Sequence, residues 1–175
     1  LKKLHPKSHR LKAILGLDAK NPAIVLPDAD INNAVNECIM GSLSFNGQRC
    51  TALKILFVHK SILDEFIDKF TKEVSKLKPG MPWEPGVSLT PLPEPGKVEF
   101  LRGLVEDAKA HGATVVNEHG GEFFHTFFCP AVLYPVNDKM KIYAEEQFGP
   151  VVPIVPFEND EEPIQYVLNS NFGQQ

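Results

Sequence analysis

The sequence predicts an α/β fold built on a twisted, mostly parallel sheet, and three observations carry that expectation. Short apolar runs alternate with stretches whose apolar residues recur at helical spacing. Proline, glycine or asparagine punctuates the junctions. The stretches between runs are long enough to return each strand beside an earlier one, the connection that parallel pairing requires.

Taken in order, "NPAIVLPDAD" reads as a strand from Ala23 to Leu26, closed by Pro27, with Asp28 and Asp30 available to cap the next segment. Ile31, Ala34, Val35, Cys38, Ile39 and Leu43 then mark one face of an amphipathic helix that should end by Asn46 and Gly47, residues that tolerate positive φ. "ALKILFVH" reads as a second strand. Ser61 with Asp64 looks like a capping pair opening a helix whose buried face is Leu63, Phe66, Ile67, Phe70, Val74 and Leu77, with Pro79 and Gly80 as its stop. Residues 79 to 96 hold six prolines and predict an extended, stiff surface connection with Trp83 and Leu92 packed on the domain. Val98, Leu101, Leu104, Val105 and Ala108 mark a third helix; "ATVVN", "FFCPAVLYPV" and "PVVPIVPF" supply further strands; and a last helix starts near Glu161.

Composition narrows the function classes. Hydrophobic residues make up 43% and charged residues 23%, the balance of a globular protein with a sizeable core. The net charge of −4 and pI of about 5.9, with lysines scattered among acids, leave no electrostatic footprint for nucleic acid. No apolar run approaches the roughly 20 residues of a membrane span, and no apolar segment comes after the basic start, so neither a membrane partner nor a signal peptide is expected. Three cysteines without a CxxC spacing argue against a disulfide framework or a zinc site and for a reducing, cytoplasmic compartment. Six histidines show no metal-binding pattern. A chain that begins without Met and stops at "SNFGQQ" is expected to be a piece of a longer polypeptide.

Two stretches could carry chemistry. "FNGQRC", residues 45 to 50, delivers Cys50 just past a helix and beside Arg49, whose fixed charge favours a thiolate; the competing reading is a small buried hydrophobe. Cys38 and Cys129 lie in apolar patterns and are expected in the core. "YAEEQFGPVVP" sets Glu145 and Glu146 before an aromatic residue and a Gly-Pro turn, where a carboxylate can accept hydrogen bonds from ligand hydroxyls or simply be solvated.

Together these stretches resemble the aldehyde dehydrogenase family. "FNGQRC" is similar to that family's nucleophile segment, "EEQFGPV" to its cofactor motif, "KNPAIVLPDAD" to the strand and turn after its E-L-G-G-K motif, and "SNFGQQ" to its later N-x-Y-G-L string. The resemblance implies that residues 1–20 are the tail of the dinucleotide-binding domain and that 21–175 belong to the thiol-bearing catalytic domain, incomplete at its C-terminal side. It implies that Cys50 attacks an aldehyde, with its own N–H as one oxyanion donor, and that NADP or NAD accepts the hydride to leave a thioester. Glu146 would hold the nicotinamide ribose, Phe148 would pack beside the nicotinamide ring, and Leu17 would offer its backbone carbonyl to the carboxamide. Arg49 before the nucleophile, followed by "TALK", is similar to the nonphosphorylating, NADP-dependent glyceraldehyde-3-phosphate dehydrogenases, where such an arginine holds the substrate phosphate. The partners implied are a small-molecule aldehyde and, for the complete polypeptide, further copies in a homo-oligomer.

One motif departs from the family. Counting back from Lys20, the water-activating Glu of E-L-G-G-K falls on Gly16, and the nearest acid is Asp18. Two residues of extended chain displace a side chain by about 7 Å, so Asp18 is a displaced candidate base. Hydrolysis of the thioester, its transfer to coenzyme A, and a non-catalytic homologue lacking the base are the three readings. The 175-residue piece alone is expected to be inactive.

Overall fold

The computed structural model describes residues 4–10, 12 and 16–173. Four parallel strands and one antiparallel edge strand form a single sheet. They are β1 (Pro22–Val25), β2 (Ile55–His59), β3 (Thr114–Val115), β6 (Ala131–Tyr134) and β7 (Val151–Phe157), in the order β1-β2-β7-β6-β3. Pairing is parallel from β1 through β6, with Leu56 opposite Ile154, and only β3 runs antiparallel to β6. A separate two-stranded ribbon joins β4 (Phe123–Phe124) to β5 (Phe127–Phe128).

The helices are α1 (Ile31–Leu43), α2 (Leu63–Val74), α3 (Lys97–Ala110), α4 (Lys141–Ala144) and α5 (Glu161–Asn169). They cover both faces of the sheet, because strand side chains alternate between faces. Ile55 and Phe57 join α3 residues Val98, Leu101 and Leu104 in one core; Leu56 and Val58 join Val35 and Cys38 of α1 and Phe66 and Phe70 of α2 in the other. The rings of Phe66 and Phe70 stack at 5.5 Å and both are fully buried, which is worth about 1.5–3 kcal/mol per side chain.

Asp30 caps α1 as expected, accepting a hydrogen bond from the Asn33 N–H at 2.9 Å. The Ser61–Asp64 capping pair does not form. Ile62 precedes α2, and the His59 imidazole accepts from the Ser61 N–H instead, because a short 3-10 turn intervenes between strand and helix. The helix also stops at Val74 rather than at Pro79. Leu92 is buried, but Trp83 is 75% exposed: residues 79–96 turn back on themselves, with Gly80 N–H bonded to the Leu89 carbonyl, and this turn carries the indole away from the domain. Cys129 is only half-buried, since it sits between β5 and β6 at the edge of the core. Among the described residues no helix is long and apolar enough to cross a membrane.

Candidate active site

Three segments enter neighbouring parallel strands at the same end: 16–21 before β1, 44–54 before β2, and 145–150 before β7. Strand adjacency therefore places them side by side at the amino ends of these strands. Open α/β sheets more often bind ligands at the carboxyl ends.

"FNGQRC" begins where α1 ends. Ser44 leaves helical geometry, and Phe45, Asn46 and Gly47 all take positive φ, 53°, 58° and 70°, which reverses the chain within three residues. A Cβ on Gly47 would lie 2.7 Å from the Ser42 carbonyl oxygen and 2.8 Å from that of Gly149, so only glycine fits. Gly149 belongs to "EEQFGPV", and the two motifs thus touch backbone to backbone. The Asn46 amide donates to Thr90 Oγ1 and accepts from the Thr90 N–H, and the Gln48 amide donates to Glu94, which latches the proline-rich connection onto the turn.

Cys50 emerges exposed, whereas Cys38 is buried and Cys129 half-buried. The reading of Cys50 as a buried hydrophobe is therefore excluded. Burial pushes the Cys38 thiol up to about 12, with Glu37 adding to the rise, and burial also raises Cys129. No hydrogen bond uses the Cys50 N–H among the described residues, so a donor stands free beside the thiol. Arg49 turns the other way: its guanidinium donates to the carbonyls of Met40 and Gly41 at the end of α1, at 3.1 and 3.3 Å, and lies over the Phe45 ring. A cation there complements the helix C-terminus, and Arg49 Nε is buried without a hydrogen-bond partner.

Beneath the thiol lies a polar cluster that composition concealed: Lys20, Asn21, Lys54 and Gln147 are each no more than 2% exposed. The Asn21 amide donates to the carbonyls of Cys50 and Ala52. The Lys54 ammonium donates to the carbonyls of Arg49 and Cys50, both at 3.0 Å, and to that of Ala52 at 3.4 Å. Its charge also meets Glu146 Oε1 at 3.2 Å, without hydrogen-bond alignment, so this buried oxygen keeps its acceptor capacity. The Gln147 amide bonds the carbonyls of Lys54 and Val151 and accepts from Lys20 Nζ at 2.7 Å. Burial, followed by the Lys54 charge, holds the Lys20 ammonium well below the ordinary lysine range, against the opposing pull of Glu146 and Glu145.

Phe148 sits at φ 40°, a backbone region that bulky residues rarely occupy, and its ring lies within 6.0 Å of Lys54 Nζ and 5.7 Å of Lys97 Nζ. The structure thus brings Cys50, Glu146 and Phe148 onto one framework. Leu17 is 80% exposed, Asp18 is exposed, and neither is hydrogen-bonded or ion-paired to the thiol segment among the described residues. Gly16 is exposed with nothing within 4 Å of where its Cβ would be. Sequence reasoning missed Lys20, Asn21, Lys54 and Gln147. A single charge inside the apolar run "ALKILFVH" was the available signal for Lys54.

A sequence pattern described as "Aldehyde dehydrogenase family" matches residues 2–175. The chain belongs to the aldehyde dehydrogenase family. It is 40% identical over 159 residues, 91% of its length, to an NADP-dependent glyceraldehyde-3-phosphate dehydrogenase of Arabidopsis thaliana, covering 32% of that protein. A solved NADP-dependent glyceraldehyde-3-phosphate dehydrogenase from Bacillus halodurans C-125, complexed with NADP, superimposes with TM-score 0.83 at 35% identity over 88% of this chain and 32% of its own. A succinate-semialdehyde dehydrogenase from Burkholderia pseudomallei superimposes as well, with TM-score 0.84 at 37% identity over 88% of this chain and 32% of its own. This aldehyde dehydrogenase chain thus spans about a third of the length of the curated relatives it matches.

Proposed function

We propose that this aldehyde dehydrogenase chain carries the nucleophile of an NAD(P)-dependent enzyme that oxidises an aldehyde to the carboxylic acid. The observation that carries the reading is the exposed Cys50 thiol with a free N–H beside it, on a loop bonded to buried Lys54, whose ammonium is ion-paired with Glu146 of the cofactor motif at 3.2 Å. Cys50 sulfur attacks the aldehyde carbon, and its N–H donates to the oxygen as charge develops there, a contribution of about 10²–10³ in rate. Glu146, whose carboxylate is held 3.2 Å from the Lys54 ammonium, suits the hydroxyls of a nicotinamide ribose, and Phe148 offers a ring beside it. The bound nicotinamide supplies the hydride acceptor. Cys50 then holds the acyl group as a thioester until water releases it and frees the thiol. Leu17 contributes its carbonyl to the cofactor, Asp18 is the acid nearest the vacant Gly16 position, and residues 1–20 close the dinucleotide-binding domain.

The substrate that best fits is a phosphorylated triose aldehyde, supported by Arg49 next to the nucleophile and by likeness to proteins named for glyceraldehyde 3-phosphate. Arg49 would exchange its α1 carbonyl partners for phosphate, to which a guanidinium can bond in bidentate fashion.

The test measures NADPH formation by the complete polypeptide with glyceraldehyde 3-phosphate, succinic semialdehyde or a simple aldehyde, beside Cys50→Ser. The proposal expects a burst that Cys50→Ser abolishes. Neither a burst nor turnover with any of the three sinks it, and a burst without turnover that coenzyme A restores would assign the acyl group to that acceptor instead of water.

A further inference from the structure

The Arg49–Cys50 peptide has two ends with different duties. Its N–H, on Cys50, is the free donor beside the thiol; its carbonyl, on Arg49, accepts from the Ala52 N–H at 3.2 Å and, as its one charged donor, from the Lys54 ammonium at 3.0 Å. A hydrogen bond to a peptide oxygen draws electron density away from the nitrogen and makes the N–H a stronger donor, and a charged donor in a dry site does so most. The same ammonium bonds the Cys50 carbonyl at 3.0 Å, and Asn21 bonds it at 2.7 Å, so both peptides flanking the thiol's residue are pinned from below.

Lys54 is an unusual residue for a purely structural clasp. A lysine 1% exposed forfeits most of its hydration, and the only carboxylate in contact with it among the described residues, Glu146, lies at 3.2 Å without a hydrogen bond. Three carbonyls from one short stretch accept its hydrogen bonds. A neutral amide could bridge two carbonyls at lower desolvation cost, so a charge at this position suits polarisation better than mere bridging.

We propose that Lys54 is a positioning residue that fixes the Arg49–Cys50 peptide and polarises it, so that the Cys50 N–H binds the oxyanion formed when the thiol attacks a carbonyl. This rests on the reading of Cys50 as the nucleophile. Lys54 touches no reacting atom; it acts through the peptide.

Two reagents separate this role from others. With p-nitrophenyl acetate the Cys50 thiolate adds to the ester carbonyl, the oxygen takes up the displaced electron pair, and collapse forms the S–acyl bond and expels p-nitrophenolate. With iodoacetamide the same thiolate displaces iodide from an sp³ carbon, and no oxyanion forms. Both consume the same thiolate, so the ratio of acylation rate to alkylation rate cancels any change in thiol ionisation. It reports the oxyanion donor alone.

The complete polypeptide is measured as wild type, Lys54→Met and Lys54→Gln, with Cys50→Ser as blank and slow alkylation of buried Cys38 as the check that each variant is folded. Removing a whole oxyanion donor costs about 10²–10³, so weakening one predicts that Lys54→Met lowers the ratio by about tenfold. Lys54→Gln keeps an N–H for the carbonyls and should fall between; it carries the test if the Met variant does not fold. A ratio within about twofold of wild type in the folded variants, with both rates moving together, overturns the proposal. Ester acylation of wild type no faster than the Cys50→Ser blank removes the nucleophile reading and this proposal with it, whereas acylation with an unchanged ratio removes this proposal alone.

Discussion

Gly47→Ala tests the geometry that delivers the thiol. At φ 70° an alanine costs about 1–2 kcal/mol from left-handed backbone alone. Its Cβ would also stand 2.7 and 2.8 Å from two backbone oxygens, of Ser42 and Gly149, below the 3.0 Å that such atoms essentially never breach. Backbone cannot rotate aside as a side chain can, so overpacking adds about 1–3 kcal/mol. The sum is about 2–5 kcal/mol, a large share of the stability typical of a domain. Gly86→Ala is the control, because Gly86 has nearly the same φ, 74°, with nothing within 4 Å of its Cβ position, and so carries the backbone cost only. Urea denaturation should show the Gly47 variant less stable than the Gly86 variant by about 1–3 kcal/mol, a midpoint difference of about 0.5–1.5 M for a slope near 2 kcal/mol/M. Iodoacetamide labelling of Cys50 should change with it, since the turn and the "EEQFGPV" backbone must separate. Equal stability losses in the two variants would refute the claim that the "FNGQRC" turn and the "EEQFGPV" segment are locked in contact at Gly47.

Three further outcomes rest on named residues. Gly16→Glu places a carboxylate where nothing lies within 4 Å, and it should raise steady-state NADPH turnover of the complete polypeptide while leaving the burst rate unchanged; an unaltered steady state would show that the base belongs elsewhere. With its thiol at about 12, Cys38 is about 10⁻⁴ thiolate at pH 8, so brief iodoacetamide treatment and then peptide mapping should label Cys50 and spare Cys38 until denaturant is added. The Glu162 carboxylate is held below the ordinary range chiefly by the N–H groups of Asn159 and Glu158. Its stabilisation is complete above an ordinary glutamate pKa of about 4.3 and is lost as pH falls through the lowered folded value. Glu162→Gln should therefore reduce the urea midpoint at pH 7 and converge with wild type near pH 2; equal midpoints at both pH values would contradict the assignment.

The elements were legible because their signals are local. The apolar spacing of Phe66, Phe70 and Val74 and the apolar run "ILFVH" depend only on near neighbours and on whether a face is buried. Trp83 failed for the opposite reason: a proline-rich stretch shows that the chain is neither helix nor strand, but not which way it turns. Cys50 could be singled out as a residue, while its exposure could not, since a cysteine after a helix can face either way.

By itself the sequence determined the α/β alternation, the family, and the order of the two motifs that frame the site. Only the tertiary structure decided that these motifs meet, and through which atoms. Lys20 reaches Gln147 across 127 residues, and Lys54 joins the Cys50 loop to Glu146, because β1, β2 and β7 are neighbours whose amino ends coincide. Lysine, asparagine and glutamine are ordinarily exposed, so polarity along the chain predicts solvent at these positions. The fold buries them where strand starts converge, and the carbonyls of an irregular loop supply the hydrogen bonds that a buried ammonium requires.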